Sequence, residues 1–83
     1  MPSVDEVKLF LRAHLKERFA LRGIADPADD LSLTDSGVID SFGLLDLLNE
    51  AEAKFSIHID MDNVDLEKLT TFGGMASAVA EGR

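Results

Sequence analysis

Apolar residues fall into four stretches of helical period, separated by runs of turn-forming residues. Ser3 and Glu6 have the spacing of a capping box. Val4, Val7, Phe10, Leu11 and Leu15 then recur at helical intervals, with Lys8, Arg12 and Lys16 on another face. This predicts one amphipathic helix ending between Arg18 and Leu21. His14 falls on its apolar side and reads as a half-buried packing residue, since no second residue stands at a ligand spacing from it. From Gly23 to Asp40 the period lapses into Gly, Pro, Asp and Ser, which predicts a long loop. Loops of this length in small domains tend to be functional, and Leu31, Leu33, Val38 and Ile39 are expected to pin this one to the core.

The next helix begins with Asp40 as N-cap and Ser41 and Phe42 in its first turn. Advancing 100° per residue gathers Leu44, Leu47, Leu48, Ala51 and Phe55 on one face, and Phe42, Asp46, Asn49, Glu50 and Ala53 on the other. Two positions are open to Phe42: outward, as a docking aromatic, or tucked beneath the loop. Ser56 to Asp60 alternates in an extended pattern too short to support a sheet alone, and Asn63 to Leu69 predicts a short third helix. Thr70 or Thr71 caps a last helix through about Ala80, with Phe72, Met75, Ala76 and Val79 inward and Gly73 and Gly74 weakening its start. The expectation is an all-α fold: a small four-helix bundle, one domain over residues 1–83, with a long first loop and a short third helix.

Eighty-three residues leave little interior for an active-site cavity, which favours binding, carrying or scaffolding over catalysis. Sixteen acidic residues against eight basic ones make nucleic acid and anionic membrane poor partners. Five of the bases (Lys8, Arg12, Lys16, Arg18 and Arg22) fall early, and only Lys54, Lys68 and Arg83 follow. The rest of the chain therefore reads as a nearly one-sign surface suited to basic partners. The absence of cysteine excludes disulfides and thiol catalysis. Met1 to Glu6 lacks the features of a signal peptide and no apolar stretch approaches spanning length, so a cytoplasmic location is expected. A calcium loop starting at Asp60 fails, because its sixth position is Asp65 and its twelfth Thr71. No metal site is expected.

The run Gly37-Val38-Ile39-Asp40-Ser41-Phe42-Gly43 sets a serine at a helix N-terminus behind an acidic loop. A hydroxyl there points outward, and a phosphate attached to it is favoured by the free N–H groups and the dipole. A hydrolase does not fit, since Ser41 lacks a glycine-flanked nucleophile elbow and neither His14 nor His58 has an orienting acid in view.

Over nearly its whole length the chain resembles the acyl carrier protein family, including the peptidyl and D-alanyl carriers. The resemblance rests on length, acidity, four helices, the long first loop and Gly37 to Phe42 ahead of an apolar-acidic helix. Phe55, the Ile57 and Ile59 pair, and Leu66 to Thr71 extend it. It implies a non-catalytic carrier in which Ser41 is modified by a phosphopantetheinyl transferase. The Ser41 hydroxyl attacks the pyrophosphate of coenzyme A, leaving a 4'-phosphopantetheine arm whose thiol carries acyl or aminoacyl groups as thioesters. Asp40 and Phe42 match the supporting attachment motif, with Asp40 assisting the transferase or its metal. Asp46, Glu50 and Glu52 are the expected docking acids, with Phe42 filling an apolar socket. The implied partners are the transferase, an acyl- or aminoacyl-loading ligase, and downstream acyltransferases or synthases with basic patches, in fatty acid, polyketide or aminoacyl biosynthesis. The carrier is expected to be a monomer and, through the arm's phosphodiester, a phosphoprotein. Fatty-acid carriers usually place an acid at the position of Gly43 and a small residue at that of Glu50, so Ser41-Phe42-Gly43 is more similar to D-alanyl or dedicated secondary-metabolism carriers. The competing expectation is an unmodified acidic helical adaptor, which shares every feature except a reactive Ser41.

Overall fold

The computed structural model describes residues 2–60 and 62–82; Met1 and Arg83, both used above, lie outside the described residues. The helices are α1 (Val4–His14), α2 (Lys16–Leu21), α3 (Ser41–Phe55), α4 (Leu66–Leu69) and α5 (Phe72–Ala80). Together α1 and α2 are the single amphipathic helix expected from the sequence, bent at Leu15 (φ −104°, ψ 10°). The Leu15 N–H still reaches Leu11 O, and the Phe19 N–H reaches Leu15 O, each at 2.9 Å. Beyond the bend Phe19 is buried edge-on to Phe72, centroids 6.2 Å apart. Ser3 caps α1 by accepting the Glu6 N–H at 3.1 Å. Val4 is exposed rather than inward: it is the first helical residue, and Val7, Leu11 and Leu15 take the core positions.

One apolar cluster holds the elements together, with Val7, Leu11, Leu33, Leu47, Phe72 and Met75 at its centre. The long loop is fastened to it by main chain as well as by side chains. The Leu33 N–H donates to Thr70 O at 2.7 Å, the Phe72 N–H to Leu31 O at 2.9 Å, and the Gly73 N–H to Asp29 O at 2.9 Å. These bonds form a short antiparallel lacing around the isolated bridge between Ser32 and Thr71. Leu33, Val38 and Ile39 are buried and Leu31 is half-buried, as expected of the loop's anchors.

The short helix is shorter than its sequence pattern predicts. Asp60 accepts the Asp62 N–H at 3.1 Å and is also bonded by the Asn63 amide. Those bonds, Asn63's first, hold the Asp60 carboxyl below the usual carboxylate range. The turn occupies the residues that would start a helix at Asn63, so α4 begins only after Asp65, whose side chain accepts the Glu67 N–H at 3.0 Å.

Thr71 caps α5 by accepting the Gly74 N–H at 3.1 Å, and Phe72, Met75, Ala76 and Val79 point inward as expected. The glycine that weakens this helix intrinsically is required by packing. A Cβ on Gly74 would clash with Lys68 O and Thr71 Oγ1. The end of α4 thus abuts the start of α5 with no room for a side chain. Gly74→Ala is expected to cost about 3 kcal/mol, through overpacking that a gain in helix propensity does not offset. Thermal unfolding measures this; an unchanged or raised midpoint would contradict the close approach.

Candidate functional site

The geometry of the Ser41 region follows from how the loop returns to the helix. Ile39, buried, donates its N–H to Leu33 O at 3.0 Å, tying the loop's last turn back to its anchored middle. Just before it, Gly37 adopts φ +79°, and a Cβ there would lie 2.9 Å from an Arg22 guanidinium nitrogen. Only a glycine combines that dihedral with that approach at little cost. Arg18 of α2 donates to Val38 O at 3.4 Å, and the Arg22 side chain, just past the end of that helix, lies against Gly37, so the turn leading to Asp40 is flanked by two arginines.

Asp40 is extended (φ −97°, ψ −177°) and its Oδ1 accepts the Gly43 N–H at 2.7 Å. The Leu44 N–H goes to Asp40 O at 2.9 Å. Such a cap is worth about 1 kcal/mol. It leaves the Ser41 and Phe42 N–H groups without intrahelical acceptors, as the first positions of a helix must be. Ser41 is exposed, and no hydrogen bond among the described residues engages its hydroxyl. A free hydroxyl, two free N–H groups and the positive end of a 15-residue helix fit a phosphoester at this oxygen.

Of the two positions open to Phe42, the structure has the outward one: the ring is 80% exposed. Leu45, three residues on and so on the same face, is 52% exposed. Sequence reading missed Leu45, although its i, i+3 relation to Phe42 was the available signal. Asp46, Asn49 and Glu50 are exposed as expected.

The acids are less uniform than their sequence spacing suggests. Glu50 lies 2.8 Å from His14 Nε2, and His14 stacks on Phe10, which meets Phe55 edge-on. His14 is thus a packing residue on one side and a partner of Glu50 on the other. Together with Arg18, Asp46 and Glu50 it lines a small groove between α1–α2 and α3. The nearly one-sign surface expected of the later chain is therefore partly balanced here by bases from the first helix. Glu52 departs furthest from expectation. Its side chain is 24% exposed, and Oε2 accepts the Ile59 N–H at 3.0 Å and lies 3.1 Å from His58 Nδ1. That carboxylate anchors the segment after α3. Ile59 is buried beneath it, so the apolar alternation after Phe55 is held by a side-chain bond rather than by a neighbouring strand.

Among the described residues no cluster of His, Asp or Glu is arranged to hold a metal ion, and no helix is long and apolar enough to cross a membrane. No curated protein and no solved structure matches the chain. A family model described as a phosphopantetheine attachment site matches residues 10–79, a span running from within α1 nearly to the end of α5. The capped serine and the helical fold around it thus belong to a chain that is a member of the phosphopantetheine-binding carrier family, whose domains hold 4'-phosphopantetheine and are not themselves catalysts.

Proposed function

We propose that this chain is a monomeric carrier of the cytoplasm, that Ser41 Oγ is the point of attachment of 4'-phosphopantetheine, and that the loaded protein shuttles acyl or aminoacyl groups between enzymes. The observation that carries this reading is the exposed, unengaged hydroxyl of Ser41 at the capped start of α3, inside the span of the family match. When bound, the group supplies a thiol that the cysteine-free chain lacks, and cargo travels on it as a thioester. The protein's own part is presentation. Asp40 Oδ1 fixes the first turn, leaving its second carboxylate oxygen for the transferase or that enzyme's metal. The free N–H groups of Ser41 and Phe42 favour the negative charge of the phosphodiester. Tethering keeps the cargo at high effective concentration wherever the carrier docks.

Docking is assigned to the stripe Phe42, Leu45 and Asp46 on α3, with Glu50 beside it. Two exposed apolar side chains next to an acid suit a basic partner surface with an apolar socket. Contacts of this kind form fast and break readily, as a shuttle needs. Glu52 is left out because its carboxylate is occupied by Ile59 and His58. The partners are a phosphopantetheinyl transferase, a loading ligase and a downstream acyltransferase or synthase.

Gly43 bears on the kind of carrier. A Cβ there would come within 3.2 Å of Asp40 Oδ1 and 3.4 Å of Ile39 Cβ. A side chain there fits if the cap gives by a few tenths of an ångström. The glycine in Ser41-Phe42-Gly43 supports a D-alanyl or dedicated secondary-metabolism carrier over a general fatty-acid one.

Incubation with coenzyme A, magnesium and a promiscuous transferase is expected to add one phosphopantetheine to the intact mass of the wild-type chain and none to that of Ser41→Ala. Retained labelling in the variant moves the site elsewhere, and no labelling of the wild type by several active transferases leaves an unmodified adaptor. For docking, Asp46→Lys is expected to slow transfer to a partner by about tenfold at low salt. Glu50→Lys should slow it less, because His14 already shares that carboxylate. Both variants should unfold within a few degrees of the wild type, since both positions are exposed. Unchanged transfer rates for both would remove this face from the mechanism.

A further inference from the structure

A second surface, of opposite character, lies on the far side of α1 and α2. His14 and Arg18 face α3. Residues 9, 13, 16 and 20 cluster on the opposite side of the same bent helix, at successive turns. There Leu9, Ala13, Ala20 and Ile24 line an open groove of about 710 Å³ between the helix and the start of the long loop. Leu9 is 63% exposed although it stands in the middle of α1. Nothing in the packing of the monomer requires an exposed leucine there.

The charge of this groove is the reverse of the chain's. Of the described residues lining it, the only charged ones are Arg12 and Lys16, both basic, on a molecule of net charge −8. Arg12 is held in place, its guanidinium 5.6 Å from the Phe72 ring centroid and 3.2 Å from Asp26 Oδ1. The salt bridge shows that a carboxylate can sit at this edge. Asp26 is 83% exposed, so it is a loose occupant, and a guanidinium has donors for a second one. From Leu9 to Ala20 the floor runs about 16 Å along the helix axis, or three turns.

We infer that this groove docks a short amphipathic helix of a partner protein, with apolar residues toward Leu9, Ala13 and Ala20 and acidic residues toward Arg12 and Lys16. The acidic, apolar composition of the occupant follows from the charge and lining of the groove, and its helical form from a floor that presents small and apolar side chains at successive helical turns. Because the groove lies across α1–α2 from α3, a partner can hold the carrier here while Ser41 and Phe42 face a different protein. The two faces select by opposite charge: α3 for basic surfaces, the groove for acidic ones.

The test uses the full-length chain, isotopically labelled, and a synthetic 14-residue peptide with leucines three and four apart and glutamates elsewhere. Amide shifts are expected at Leu9, Ala13, Lys16, Ala20 and Ile24, with α3 unaffected. Lys16→Glu should weaken binding at least about tenfold, and Asp26→Asn should tighten it by freeing Arg12. Circular dichroism of both variants reports that the fold is intact. A peptide with lysines in place of the glutamates should not bind. The inference is overturned if the acidic peptide causes no shifts, if its shifts fall on Phe42 and Leu45, if Lys16→Glu binds as well as wild type, or if the lysine peptide binds equally. Groove shifts that depend on protein concentration without peptide would give the surface to a second copy. Binding of phosphatidylglycerol vesicles but not of the peptide would give it to a lipid surface.

Discussion

The structure depends most on the antiparallel main-chain lacing between the long loop and the entry to α5. A loop of this length pays a large conformational entropy unless it is tied down. Here the bonds from Leu33, Phe72 and Gly73 tie it at three levels, and buried Leu33 sits between them. Everything that positions Ser41 hangs from that anchor. Leu33 O holds the Ile39 N–H; Ile39 is buried; the next residue, Asp40, caps α3; and Ser41 follows, exposed, on the first turn. The chain invests its hydrogen bonds in the residues around the serine and leaves the hydroxyl itself free. A protein whose task is to offer one oxygen to another enzyme needs that division: a rigid frame and an unencumbered nucleophile.

The same economy sets the surface. α3 buries Leu47, Leu48 and Ala51 and turns Phe42, Leu45 and Asp46 outward, so one helix serves both core and docking. The early bases stand on and just after α1–α2, Arg12 and Lys16 on the opposite flank and Arg18 toward α3. Some are spent inside the molecule: Lys8 on Asp29 at 2.8 Å, Arg12 on Asp26, Arg18 on Val38 O. The ion pairs of Lys8 and Arg12, each with an exposed aspartate, add little stability each. Their larger effect is to fix where positive charge stands on a strongly acidic molecule, and so which partners approach which side.

What was legible in the sequence was whatever a single helix decides for itself. The inward faces of α1, α3 and α5, the caps at Ser3, Asp40 and Thr71, and the exposure of Ser41 follow from periodicity and capping chemistry between residues a few positions apart. What was not legible depends on residues distant in the chain or on main chain alone. The lacing pairs residues 29–33 with 70–73, through groups every residue possesses. Glu50 meets His14 from another helix, and Glu52 folds back onto Ile59, so neither acid could be assigned its surroundings from spacing. The bend at Leu15 keeps the bonds from Leu15 to Leu11 and from Phe19 to Leu15 and carries no glycine or proline to announce it. α4 is short because Asp60 and Asp65 capture nearby N–H groups, a competition between turn and helix that apolar periodicity does not register. Gly74 looked like a weak helix residue and is a packing requirement, since the carbonyl it accommodates belongs to the preceding element.

The central claim is that this frame exists to present one oxygen atom. The measurement that tests it most directly is tandem mass spectrometry of the transferase-treated protein after proteolysis, locating the phosphopantetheine on a single residue. The account predicts that the group lies wholly on the fragment containing Asp40-Ser41-Phe42 and on the Ser41 oxygen. Its presence on Ser36, Ser56 or any other hydroxyl would contradict the account, because those residues lack the capped helix start that leaves Ser41 exposed and unengaged.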